Sequence, residues 1–139
     1  MSYGFARLLS RSLLLAAFFG ASASSAAPDW EAVADEQTVT VETTNEDGSL
    51  RYTTVWLAVI DGQGFIRTGN TSWGGNVERT PEVVLRVGNE SHAMRAEFIE
   101  ADDARERIIQ AFREKYGWTD ALISPIRGSR PKIMRLDDR

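Results

Sequence analysis

Apolar and polar positions alternate along much of this chain. From Gln37 to Thr43 they do so with Val39 and Val41 on one face, and Leu50 to Ile60 is a long aromatic and β-branched run. Both patterns predict strands, because strand side chains alternate between two faces and branched residues pack well on a half-buried pleat. Asn45-Glu46-Asp47-Gly48 has the chemistry of a turn, and Asp61-Gly62-Gln63-Gly64 turns the chain back into a strand from Phe65 to Thr68. Glu82 to Val87 and Ser91 to Glu100 predict two more strands around Gly88-Asn89-Glu90, and Lys132 to Leu136 a last one. A helical period appears in one long stretch. Ala101 to Tyr116 sets Ile108, Ile109, Phe112 and Tyr116 on one face, with Asp102 and Asp103 expected as caps at its start and Gly117 at its end. A short helix is expected to start at Pro28-Asp29-Trp30-Glu31, and a single helical turn over Asn76 to Thr80, stopped by Pro81. Pro125 to Pro131 reads as an irregular basic loop. Strands first and one helix late predict the α+β class: an antiparallel barrel packed by one helix from the C-terminal half of the chain.

The first residues follow a different pattern. Arg7 and Arg11 are the only charges before Asp29; an apolar run from Leu13 to Phe19 follows them, and then small residues from Gly20 to Ala27. This order is that of a secretory signal peptide, with Ala21-Ser22-Ala23 as the small-x-small cleavage site and Ser24-Ser25-Ala26 as a second choice. The expected organisation is a leader over residues 1–23, with cleavage as late as residue 27, and one domain over 28–139. An uncleaved anchor or an amphipathic N-terminal helix is the competing reading, although the apolar run is short for a bilayer. The two arginines are not adjacent, so nothing points to the twin-arginine route. The expected destination is the periplasm or the medium, with no stable membrane anchor after cleavage.

Composition narrows the chemistry. The 139 residues suit one domain, and the absence of cysteine removes disulfides, thiolate-held metals and thiol catalysis. The net charge is −4, and it grows more negative once the leader's two arginines are gone, so nucleic acid is not an expected partner. The single histidine, His92, has no triad pattern around it, and no metal site or catalytic residue stands out. The informative stretch is Arg51 to Arg79. Arg51, Thr53, Thr54, Arg67, Thr68, Ser72, Asn76 and Arg79 supply cations, hydroxyls and an amide, and Trp56 and Trp73 add aromatic surface. Such a set suits a phosphorylated aromatic ligand, since arginine binds phosphate bidentately and apolar rings cover a flat heterocycle. The same residues also suit an ordinary barrel surface, and composition leaves both readings open.

The order of these residues resembles the pyridoxamine-phosphate-oxidase-like split barrels, and among them the small deazaflavin-dependent nitroreductase-like and FMN-binding branches. The family's strand Gly-x-x-Arg-x-Thr-Pro-Val-Trp is matched by Gly48, Arg51, Thr53, Thr54, Val55 and Trp56. Asp61-Gly62, Arg67-Thr68, Ser72, Asn76, Val77 and Pro81 follow in the family's order, and Lys115-Tyr116-Gly117 matches its helix end. Thr54 replaces a proline, and Trp73 stands where the family has its phosphate-binding lysine. The resemblance implies a split β-barrel that binds FMN or the deazaflavin F420 through the ten residues named above, in a groove at a homodimer interface. It implies an oxidoreductase that transfers a hydride to a small organic substrate. The alternative is an exported, non-catalytic ligand-binding or partner-binding domain that keeps the fold.

Overall fold

The computed structural model describes residues 23–24, 26–117 and 131–139. The predicted leader up to residue 22, and all but Pro131 of the predicted basic loop, lie outside the described residues. Six strands form a closed antiparallel barrel: β1 (Thr38–Thr44), β2 (Leu50–Ile60), β3 (Gln63–Thr68), β4 (Glu82–Val87), β5 (Glu90–Phe98) and β6 (Lys132–Asp138). Their order around the barrel is β1-β2-β3-β6-β5-β4. Among the described residues, helix α1 (Trp30–Val33) precedes β1, α2 (Ser72–Arg79) joins β3 to β4, and α3 (Asp102–Tyr116) lies between β5 and β6. The α+β antiparallel barrel expected from the pattern is the architecture observed.

Alternation along β2 builds two cores. Val55 and Leu57 point into the barrel, where they meet Val41, Ile66, Met94 and Leu136. Ala58 points outward with Trp56 and Ile60, toward Phe65, Ile133 and the apolar stripe Ile108, Ile109 and Phe112 of α3. Closing the sheet pairs most of its strand edges, and packing on both faces of β2 from Val55 to Ala58 excludes water there. Two hairpins set the register. Ile60 pairs with Gln63 across a two-residue turn in which Asp61 and Gly62 both have positive φ, 51° and 71°, the twist that suits adjoining strands. Val87 pairs with Glu90 across Gly88 and Asn89 in the same spacing.

The barrel ends are closed by tryptophans. Trp30, on a helix capped by the Asp29 carboxylate, packs against β3 at Gly64, where any Cβ would fall inside the indole ring. Trp73 and Val77 of α2 enter the interior core from another direction. The single turn predicted over Asn76 to Thr80 is a two-turn helix that begins four residues earlier. Its N-cap is Thr71, whose hydroxyl accepts from Gly74 N–H at 3.1 Å. Gly74 and Gly75 lower the local helix propensity, and burial of Trp73 and Val77 overrides it. Gly74 also permits the approach of α2 to Thr68, whose methyl would lie 3.0 Å from a Cβ there.

Asp102 and Asp103 were expected to cap α3, but the N-cap is Ala101 and it makes no side-chain cap bond. The two carboxylates sit in the first turn and favour the helix through its dipole. The far end is tied down by side chains. Lys115 Nζ donates to the carbonyls of Ala34, Glu36 and Leu57 at 3.0, 2.5 and 2.8 Å. Burial pushes its pKa below the usual lysine value. The Tyr116 hydroxyl accepts from Leu57 N–H at 3.0 Å and places its proton between the carbonyls of Gln37 and Leu57. Burial raises its pKa.

Gly64→Ala is expected to lower stability by about 1–3 kcal/mol, because the methyl must displace the Trp30 ring from a packed core. Tyr116→Phe is expected to cost a comparable ~1–3 kcal/mol by leaving Leu57 N–H without its partner. Urea unfolding midpoints check both.

Candidate functional site

The side chains proposed for ligand binding fall into separate groups, and the strand period decides which. Arg51 and Thr53 share the odd-numbered face of β2 with Val55 and Leu57, while Thr54 and Trp56 lie on the outer face with Ala58. In β3, Arg67 lies on the outer face with Phe65, and Thr68 on the inner face with Ile66. No single ligand can touch both sets through a closed sheet.

The first group gathers at one barrel end, between the β1–β2 turn and α2. Asn45, Glu46, Asp47, Arg51, Ser72, Gly75, Asn76 and Arg79 line an open hollow of about 570 Å³. A continuous chain of hydrogen bonds forms its wall. Arg51 Nε donates to Asn45 Oδ1 at 3.1 Å, and Asn76 Nδ2 donates to the same oxygen at 2.9 Å and to Thr43 Oγ1 at 3.0 Å. Arg79 Nη2 donates to Asn76 Oδ1 at 2.7 Å and to Thr44 O at 3.3 Å, and its Nη1 stands 3.6 Å from the Glu46 carboxylate. Asn76, only 4% exposed, is the keystone between strand and helix. Asp47 is occupied within the turn. Its Oδ1 accepts from Ser49 Oγ at 2.5 Å and Ser49 N–H at 2.9 Å, and these bonds hold its carboxyl below the usual carboxylate range. Both guanidinium Nη groups of Arg51 have no hydrogen bond among the described residues, and no side chain projects from Gly75. The hollow therefore gathers two guanidinium groups and the Ser72 residue beside two carboxylates, Glu46 and Asp47, with the Arg79 guanidinium held by Asn76, Thr44, Gly75 and Glu46.

The second group forms an aromatic ledge where α3 meets the outer face of the sheet. The Trp56 and Tyr116 rings stack at 4.2 Å between centroids and 7° between planes, and the Arg67 guanidinium lies 5.0 Å from both the Trp56 and Phe112 ring centres. Arg67, expected beside Ser72 and Asn76, is thus on the opposite face of the sheet. Thr54 is exposed on that face. Thr68 is buried below α2, its hydroxyl 2.6 Å from that of Thr71. Trp73 is 6% exposed and fills the core.

With this geometry established, comparison places the chain. Residues 29–136 match the model of a family described as an uncharacterized protein conserved in bacteria, DUF2255. The chain belongs to the DUF2255 family. No functionally curated protein matches it. Among solved structures, a conserved hypothetical protein from Mycobacterium tuberculosis is 23% identical, with a TM-score of 0.64 over 82% of each chain. The heme storage protein HutZ from Vibrio cholerae is 16% identical, with a TM-score of 0.64 over 81% of this chain and 89% of that one. An F420-H2 dependent reductase, FDR-A, is 19% identical, with a TM-score of 0.59 over 73% of this chain and 95% of that one. At these identities the likeness is one of fold, and the expected split barrel is the fold this DUF2255 chain has.

Asn45, Glu46, Asp47 and Gly75 also line the hollow although they were not among the predicted site residues, and Arg105 is 8% exposed, with its Nη2 donating to Pro131 O at 2.5 Å. The signal for the first three was the Asn-x-Asp-Gly turn, read as backbone chemistry alone. Placing lysine at position 73, which the motif resemblance linked to phosphate, is expected to bury an unpaired charge. Trp73→Lys should lower stability by at least about 3 kcal/mol in chemical denaturation, rather than create an anion site.

Proposed function

We propose that this protein is an exported split barrel that binds a phosphate-bearing flavin-type cofactor, FMN or the deazaflavin F420, and uses it to reduce a small organic substrate. One observation carries the reading: Arg51 and Arg79, from different elements, converge with Ser72 and Asn76 on one open hollow. Two guanidinium groups match phosphate oxygens in charge and geometry, and the first turn of α2 adds backbone N–H groups and a positive dipole end. The likeness in fold to an F420-H2 dependent reductase supports the choice of ligand class. When bound, such a cofactor supplies hydride-transfer chemistry. The chain's own part is to hold the phosphate through Arg51, Arg79 and Ser72 and to orient the rest of the molecule along the β1–β2 turn.

Heme fits less well. The single histidine is buried, and its Nδ1 is already committed to the Ala26 carbonyl. A second reading is favoured by the completeness of the hydrogen-bond chain through Asn45 and Asn76. Those bonds also describe a structural lock, as expected of a non-catalytic ligand-binding or partner-binding domain.

The proposal includes a homodimer. Leu50 and Tyr52, on the outer face of β2, are 52% and 55% exposed, and a second copy of the chain would cover them. Light scattering should return twice the chain mass. The leader pattern is the support for export.

Arg79→Ala and Arg51→Ala are each expected to weaken binding of FMN or F420 about 10- to 100-fold, read by fluorescence titration, since one charge-assisted bond contributes roughly 1.5–3 kcal/mol. Arg67→Ala, across the sheet, should leave phosphate affinity unchanged. Equal loss in all three variants, or in none, would remove the hollow from consideration.

A further inference from the structure

The last strand runs out before its neighbour does. β6 pairs with β5 from Met94 to Phe98, with Asp138 opposite Met94, whereas β4 covers the other edge of β5 from Glu90 to Arg95. Over residues 90–93, one edge of β5 therefore has no strand of the barrel beside it. The segment just before α1 fills this gap. Ser24 forms a parallel bridge with His92; its N–H donates to Ser91 O at 2.9 Å, and its carbonyl accepts from Ala93 N–H at 2.6 Å. The Ala26 carbonyl accepts from Nδ1 of the buried His92 at 2.9 Å. Ala27 N–H donates to Asp138 Oδ1 at 2.8 Å, and Ala27 packs against the interior core. A bare strand edge is a template for unwanted pairing, and this segment covers it.

We infer that Ser24, Ala26 and Ala27 act as a strap that completes the barrel, and that the leader is cut off immediately before Ser24, between Ala23 and Ser24. The inference rests on the export reading above. Two unrelated observations meet at this peptide bond. Ala21-Ser22-Ala23 is the first Ala-x-Ala site after the apolar run, and Ser24 is the first of the described residues to pair with the barrel. Hydrolysis there consumes one water, leaves a carboxylate on Ala23 and an ammonium on Ser24, and keeps an N–H on Ser24 to donate to Ser91 O. A cut at the second site, after Ala26, would remove both the Ser24 bridge and the Ala26 carbonyl. Ala93 N–H and His92 Nδ1 would then lose their partners in buried positions, which is costly. The cut precedes docking, since a docked strap holds Ser24 in its bridge to β5.

The test is to export the full chain from a bacterial host, read the intact mass of the recovered protein and follow amide hydrogen exchange at Ala93. The expected result is a chain beginning at Ser24 with a protected Ala93 amide. Asp138→Ala removes the exposed acceptor of Ala27 N–H without touching the leader. It is expected to speed exchange at Ala93 about tenfold while amides in β1 and β4 keep their rates, the signature of a local opening. A mass beginning at Ala27 overturns the position of the cut, and an unprocessed chain overturns the export reading with it. An Ala93 amide that exchanges freely in the parent, or is indifferent to Asp138→Ala, overturns the strap.

Discussion

Closure of the barrel depends on β6, the last strand, which pairs with β3 along one edge and β5 along the other. Without it both of those strands would have open edges and the interior around Leu57, Ile66 and Met94 would be wet. The pairing joins residues far apart in the chain, such as Thr68 with Lys132, so the entropy of closing a long loop is lost before most of the apolar interior is gained. Helix α3 lies in that loop. Its apolar stripe packs outside β2 and β3, and Lys115 and Tyr116 bind its end to the carbonyls of Leu57 and the α1–β1 connection. Helix packing and strand closure are therefore one cooperative event.

A closed sheet also dictates where a ligand can approach. The interior is filled by side chains and by two tryptophans that close it, so binding surface is confined to the barrel ends and outer face. The polar hollow arises at an end because the β1–β2 turn projects past the core and α2 lies against it. Asn76 bonds to Thr43 and Asn45 and holds the two together. The same bonds that position Arg79 for an anion also stabilise the helix against the strand. Fold and candidate site share residues here, and for that reason function must be argued from ligand affinity rather than from architecture.

The N-terminal strap extends the same logic to the far side of the barrel. β6 closes most of the sheet, and Ser24 pairs with β5 beyond the point where β6 stops.

Strand period, turn residues and the apolar stripe of α3 were legible in the sequence, because each reflects a local rule: alternation across a pleat, positive φ at Asp-Gly, and a 3.6-residue repeat. The antiparallel barrel followed from them, and the order of short motifs pointed to its split-barrel form. Arg51, Ser72, Asn76 and Arg79 were named from the same residues that line the hollow. The separation of Arg67 and Trp56 from them depended on which face of a closed sheet each side chain takes, and that was decided by register. Trp73 sat in a position that motif order associates with phosphate, yet its side chain turns inward, since the barrel end requires a large apolar plug. The early start of α2 was hidden for the same reason: Gly74 and Gly75 disfavour a helix locally, and the packing of Trp73 and Val77 outweighs them. Local chemistry wrote the elements and nominated the charges; only tertiary packing, which rewards burial over propensity, decided which of those charges meet.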